Sequence, residues 1–220
     1  TDYMLMTAAK NVTRDVSLVF DFIERPYSPV RFKELLVSPN EMKQKFSRLI
    51  NEEIKNKQAG KPAYILIKIN HITDPVMVKK LYEASSHGVR IDLLVRGNCS
   101  LITGVPGVSD TIRINGIIDR YLEHSRIFIF ANGGDEKMFI GSADWMPRNL
   151  DNRVEVITPV YDSRIKEDLW KVIDFGLRGN CQGSVVDGSG KNCLWTTDTE
   201  ESFRSQEELY KYYKSHITND

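Results

Sequence analysis

At 220 residues the chain is long enough for one large domain, or one domain and a tail, around a sizeable core. Thirty Lys+Arg balance 30 Asp+Glu, and between Arg96 and Arg153 seven basic residues meet seven acidic ones, which excludes bulk attraction for nucleic acid or other polyanions; any basic groove must come from folding. Three scattered cysteines (Cys99, Cys181, Cys193) without metal-ligand spacing, no apolar run of membrane-spanning length, and no charged cleavable leader at Thr1-Asp2-Tyr3-Met4 make a reduced, cytoplasmic setting the default expectation.

From the N-terminus, Val16, Val19, Phe20 and Ile23 recur at helical spacing over Asp15 to Glu24, and Pro26 and Pro29 end that segment. Glu34-Leu35-Leu36-Val37 reads as a short strand. Ser38-Pro39-Asn40-Glu41 has the form of a capping box with proline at the first helical position, opening a helix with Met42, Phe46, Leu49, Ile50 and Ile54 on one side. Ala63 to Ile69 is near-continuously apolar, as a strand buried on both faces should be. Thr73-Asp74-Pro75 starts the next helix, which ends at His87-Gly88, and Val89 to Val95 is a second buried strand. Strand, helix and strand make a βαβ unit with a right-handed crossover. Ser125–Phe130 and Lys137–Ile140 flank the turn Asn132-Gly133-Gly134-Asp135 as a hairpin. A strand at Val154–Val160 and a helix from Ser163 to Phe175 follow. From Asn180 the chain is loop-like, with apolar periodicity returning only at Leu209-Tyr210, so a weakly packed tail with one helix near Ser202 to Lys214 is expected.

The chemistry concentrates at His124-Ser125-Arg126 and Gly141-Ser142-Ala143-Asp144. Strand alternation puts His124, Arg126, Phe128 and Phe130 on one face, with Ser125, Ile127 and Ile129 on the other. An imidazole that titrates near neutrality beside a guanidinium fork suits phosphoryl chemistry. Asp144 is placed to orient His124 or Arg126, with a helix N-cap as the competing role; Ser142 either supports the site or satisfies backbone. Arg96 ends a buried strand, where open α/β sheets place ligand groups; an ion pair at the sheet edge is the alternative. Lys68 and Asn70 share a face at another strand end, fitting either a phosphate or an acidic partner with turn chemistry. The loop from Thr103 to Ser109 reads as a site wall or a surface turn. Arg113, Arg120, Arg148 and Arg153 read as surface pairs with reach enough for a polyanion, Trp145 as core or loop anchor, and His71, His87 and His216 as structural or solvated.

These segments resemble the His-x-Lys … Gly-Ser-x-Asn signature of the phospholipase D-like superfamily, with Arg126 in the lysine place, Asp144 in the asparagine place, and a longer gap. With Leu94-Val95-Arg96-Gly97-Asn98-Cys99-Ser100-Leu101, Tyr121-Leu122-Glu123-His124 and Ser142-Ala143-Asp144-Trp145-Met146-Pro147-Arg148-Asn149, the chain more narrowly resembles the C-terminal catalytic region of the large bacterial polyphosphate kinases, from Thr1 to about Arg178. The resemblance implies a phospholipase D-like α/β sandwich with a mixed, mainly parallel sheet. It divides the chain into a remnant of the preceding half-domain and linker (1–30), a C-terminal catalytic half-domain (31–179) and a tail (180–220).

By that resemblance the activity is transfer of the terminal phosphate of ATP to polyphosphate, reversibly, through a phosphohistidine outside this chain. His124 is then the second active-site histidine; Arg96, Arg126, Lys68 and Asn70 bind nucleotide or phosphate, and Ser142 and Asp144 support them. Mg2+ arrives with ATP, and no carboxylate cluster here is fit to hold it alone. Partners are ATP or ADP, polyphosphate, the rest of the kinase chain and further copies of it, with no nucleic acid. Membrane association of the longer enzyme is left open. The alternative is a phosphodiesterase or nuclease of the phospholipase D type, completing its site by dimerisation; a phosphate-binding module without catalysis is a third reading.

Overall fold

The computed structural model describes residues 2–27, 29–188, 191, 193–198 and 201–217. In chain order the elements are α1 (Lys10–Glu24), β1 (Leu36–Ser38), α2 (Met42–Gln58), β2 (Tyr64–Ile69), α3 (Pro75–Ser86), β3 (Arg90–Val95), β4 (Ile112–Ile117), β5 (Ile127–Phe130), β6 (Lys137–Gly141), β7 (Glu155–Val160), α4 (Ser163–Arg178), β8 (Gly183–Val185) and α5 (Ser205–Ile217). A 3-10 turn at Asn132–Gly134 joins β5 to β6, and a π turn spans Arg148–Asn152.

The strands form one sheet in the order β1-β7-β6-β5-β2-β3-β4-β8. The two long apolar runs are its adjacent central strands, β2 and β3, as their two-sided burial requires. Parallel pairing is confined to β2–β3 and β3–β4; every other pair is antiparallel. The sheet is therefore mixed as expected, but not mainly parallel in its pairings. The hairpin β5–β6 and its continuation into β7 supply an antiparallel half, and the short β5–β6 connection allows no other sense for that pair.

Alternation assigns the two faces. Ile65, Ile67, Ile69, Phe128 and Phe130 pack with Phe46, Ile50, Met77 and Leu81 of α2 and α3. Leu66, Ile127, Ile129, Met138 and Ile140 pack with Leu169, Val172 and Ile173 of α4. Trp145 is fully buried and stacks on Phe128, while its carbonyl accepts the amides of Thr73 and Asp74, so it is both core and loop anchor. A third cluster seats Val12, Val19 and Phe22 of α1 against Phe32, Leu35 and Val37, and buried Asp15 accepts the amides of Glu34 and Leu35.

The β5–β6 turn is clamped from α2. Glu53 is buried and accepts the amides of Asn132 (2.6 Å) and Tyr64 (3.2 Å), and burial pushes its carboxyl up to about 7 against the pull of the Asn132 amide.

Ser38 does not cap α2. It ends β1, where its hydroxyl donates to the Arg153 carbonyl and accepts from the Glu155 amide, so strand pairing takes the atom that the capping box needed. Asp74 does cap α3, accepting from Val76 and Met77. β4 and β8 are additional to the sequence reading. β4 carries Asn115 and Gly116 in its interior; Asn115 is buried and donates to the Gly176 carbonyl, a tertiary bond with no local signature. The described residues after Gly179 are mostly exposed or half-buried, held at β8, Trp195 and the start of α5.

Candidate active site

At the end of the sheet where β2 and β3 finish, and where β5 and β7 begin, an open cleft of about 630 Å³ is lined by Asn70, His71, Arg96, His124, Arg126, Ser142, Asp144, Asn149 and Glu155. Asp2, Tyr3, Leu5, Arg148 and Arg153 contribute to the same lining. Of the residues named from sequence, the structure brings His124, Arg126, Arg96, Asn70, Ser142 and Asp144 together here.

Arg126 is the organising group. Its Nε and Nη2 donate to Asp144 Oδ1 (3.2 Å) and Oδ2 (3.1 Å), a bidentate pair that is nearly buried. Its Nη1 reaches the His124 carbonyl at 2.8 Å and lies 3.0 and 3.2 Å from the two ring nitrogens of His124. Asp144 Oδ1 also accepts the Asn70 amide, so the carboxylate joins the ends of β2 and β5. Asp144 is thus not a helix cap: it orients Arg126, and Arg126 holds His124.

Asp2 enters the site unforeseen. Its Oδ2 lies 3.1 Å from His124 Nδ1. Partial burial pushes its carboxyl up, but bonds from His124 and the Tyr3 amide, with the charge of Arg126, outweigh that and leave it below the usual range. Tyr3 anchors this segment through its hydroxyl, 3.2 Å from that of Tyr213 on α5. Nothing in the residue types around Asp2 announces the pairing, because the contact spans 122 positions.

Among the described residues Arg96 is held only through Nε, which donates to Asn70 Oδ1 (2.7 Å) and to the Glu123 carbonyl. Ser142 donates to Glu155 at 2.5 Å and accepts the Val156 amide, while Asn149 donates to the other oxygen of Glu155. Arg148 and Arg153 line the cleft, and among the described residues neither has an ion pair, so they are not the surface pairs expected. Arg113 does pair, with Asp92, and Arg120 lies over the Tyr121 ring.

Three expectations move. Lys68 is buried, pairs with Glu123 at 2.8 Å and is absent from the cleft lining; of the two partners its sequence context fitted, the acid is the one present. His71 lies in the lining rather than in a solvated loop, whereas His87 and His216 bond to carbonyls of their own helices. The loop from Thr103 to Ser109 is not part of the lining.

Residues 35–206 match the family model described as polyphosphate kinase C-terminal domain 2. The polyphosphate kinase of Escherichia coli K12 is 44% identical over 215 residues, 98% of this chain and 31% of that protein. That of Vibrio parahaemolyticus is 41% identical over the same span. The crystal structure of polyphosphate kinase from Porphyromonas gingivalis superposes with a TM-score of 0.92 at 39% identity, covering 98% of this chain and 33% of that one. The phospholipase D family member Nuc from Salmonella typhimurium shares the fold, with a TM-score of 0.50 at 14% identity over 69% of this chain. The chain spans about a third of the length of the kinases it matches.

Proposed function

Because the chain belongs to the polyphosphate kinase family and carries its C-terminal domain 2, we propose that the cleft binds the phosphate chain of ATP or of inorganic polyphosphate and serves reversible transfer of the terminal phosphate between them. The single observation that carries this reading is the set of cations converging on the cleft. Arg126 is fixed by Asp144 against His124, and Arg96 is steered by Asn70 with its two terminal nitrogens unbonded among the described residues. The open edge of the Arg96 fork matches the oxygens of a phosphate group, with the Arg126 charge beside it.

In this proposal Arg96 and Asn70 hold a phosphate, Arg126 neutralises charge on the transferring group, and His124 acts on the leaving oxygen. Asp2 accepts from Nδ1–H of His124, so Arg126 Nη1 donates to Nε2, and Nε2 exchanges a proton with the ligand as that donor turns to phosphate. Asp2 and Asp144 are positioning residues, and Ser142 and Glu155 brace the far wall. The P–O bond to the departing phosphate breaks as a bond forms to an attacking histidine nitrogen. In this proposal that histidine lies outside these 220 residues, as the family resemblance implies. Positioning and charge stabilisation then supply most of the rate.

Mg2+ supplies charge neutralisation when it arrives on ATP. The cleft does not fit it as a protein-held ion, because Asp2, Asp144 and Glu155 are each committed to a protein donor; no step is assigned to it. No helix among the described residues is long and apolar enough to cross a membrane; a cytoplasmic setting is part of this proposal.

The 220-residue protein should bind ATP and tripolyphosphate but not make polyphosphate; robust synthesis by the purified chain overturns the placement of the nucleophile. In a longer chain that carries these residues and turns over ATP, His124→Ala should lower turnover by about a hundredfold to ten-thousandfold, the range for losing a positioned acid or base. Near-normal turnover in a folded His124→Ala protein removes the catalytic assignment.

A further inference from the structure

His71 stands on the cleft wall beside Asn70 and has no part in the transfer described above. Its Nδ1 lies 2.9 Å from the backbone nitrogen of Asn98. A backbone amide only donates, so Nδ1 accepts, and the neutral ring carries its proton on Nε2. The ring is also fixed in place. The backbone carbonyl of His71 accepts the Trp145 amide at 3.1 Å, and the neighbouring Asn70 carbonyl accepts the Gly97 amide at 2.9 Å. Gly97 makes the room: a Cβ there would stand 2.4 Å from His71 Cε1 and 2.6 Å from Nδ1, so any other residue displaces the ring.

Among the described residues, Nε2 of His71 has no partner. Two further donors beside it are also unused. Asn70 is 2% exposed, and because its Oδ1 takes the Arg96 bond, its Nδ2 is left buried with nothing to donate to. Among the described residues Arg96 spends only Nε. A buried donor without an acceptor is costly, and one ligand that presents several acceptor oxygens relieves all three groups together.

We propose that His71 is a phosphate-binding residue, its Nε2–H joining Asn70 Nδ2 and the Arg96 fork in a subsite for the phosphate that adjoins the one at His124. This deepens, and rests on, the reading of the cleft as a phosphate-chain site. The chemistry recognised is the non-bridging oxygen, supplied by a nucleoside triphosphate or by inorganic polyphosphate.

Two substitutions separate ligand binding from loop support. His71→Asn keeps a carbonyl near the Nδ1 position for the Asn98 amide and removes the reach of Nε2; tripolyphosphate affinity of the 220-residue protein should fall about tenfold, the scale of one hydrogen bond to a charged group. His71→Gln places an amide nitrogen near the Nε2 position and gives up the Asn98 bond; its affinity should stay within about threefold of wild type, because the donor is retained. A ring that merely supports the loop reverses this order and overturns the proposal. In wild type, imidazole 1H–15N correlation spectra should show the Nε2–H tautomer for His71, with a resonance that moves as tripolyphosphate is added; an Nδ1–H tautomer or an unmoved resonance also overturns it. An ATP arm identifies the source: a loss with tripolyphosphate, shared by ATP or not, supports the assignment, and a loss with ATP alone moves His71 to the nucleoside and removes it. Wild-type protein that binds neither ligand removes the phosphate reading itself, whereas wild-type binding matched by His71→Asn removes His71 only.

Discussion

Lys68 and Arg96 leave the C-terminal ends of two adjacent strands, carry the same charge and meet the same residue, Glu123, yet they end in opposite states. Lys68 gives its ammonium to the Glu123 carboxylate at 2.8 Å, with both side chains largely buried, and Gln206 closes the other carboxylate oxygen at 2.8 Å. Arg96 gives Nε alone to the Glu123 carbonyl and to Asn70, and turns the rest of its fork to the cleft. A point charge spent on one acid has nothing left for a ligand. A planar five-donor fork can be anchored along one edge and still present the other. Strand-end position therefore does not decide which cation serves the site; the number and geometry of its donors do.

The largest effect should come from breaking the closed pair. Lys68→Ala leaves the Glu123 carboxylate with its buried ammonium partner gone, and loss of one member of a buried pair costs about 3–5 kcal/mol. Urea unfolding should show this, and Lys68→Met combined with Glu123→Gln should recover much of it. If Lys68→Ala unfolds at the wild-type midpoint, the pair is not closed and the contrast with Arg96 fails. Arg96→Ala should do the reverse. Tripolyphosphate affinity should drop about tenfold to a hundredfold, as for charge-assisted bonds, with a much smaller change in stability. Isothermal titration beside urea unfolding of the same variant checks both halves; an Arg96→Ala protein that binds normally would falsify the open-fork assignment.

Much of this was legible in the residues. The strand parity that set Phe128 and Phe130 apart from Ile127 and Ile129 holds, because a pleat alternates; His124 and Arg126 precede β5, and Ser125 lines the cleft with them. The caps differ in what else each side chain bonds to. Asp74 sits one residue before the proline that starts α3 and caps through Oδ1 while Oδ2 faces Lys43 at 2.9 Å, whereas the single hydroxyl of Ser38 is taken by the Arg153 carbonyl and the Glu155 amide. What escaped was non-local. Asp2 reaches His124 and Asn115 reaches the α4 backbone across long sequence separations, and polar residues in β4 hid a strand that tertiary bonds stabilise. His71 escaped because its environment is made by Gly97 and Asn98 from the neighbouring strand end, which only parallel pairing of β2 with β3 brings alongside.

The tail sharpens the comparison through its smallest expected effect. Gln206, at the start of α5, accepts the Tyr121 amide at 2.7 Å and donates to the Tyr121 carbonyl and the Glu123 carboxylate, both at 2.8 Å. Arg204 pairs with Asp119 at 2.6 Å on the same loop. So the weakly packed tail is fastened where it matters for the site, on the segment that delivers Glu123 to Lys68 and Arg96 and His124 to the cleft. Gln206→Ala removes one side chain that is 7% exposed, and water can reach the groups left behind, so the cost should be about 1–2 kcal/mol, near the lower end for unpaired polar groups. Binding should weaken less than in Arg96→Ala, by about two- to threefold, because the fork itself is untouched and only its anchor loosens. The decisive readout is hydrogen exchange at the Tyr121 amide, which donates to Gln206. Its protection should fall in Gln206→Ala while the amides of β2 and β3 keep theirs. Unchanged protection at Tyr121 would mean that the loop holds His124 without the tail, and that the closed and open cations owe nothing to α5.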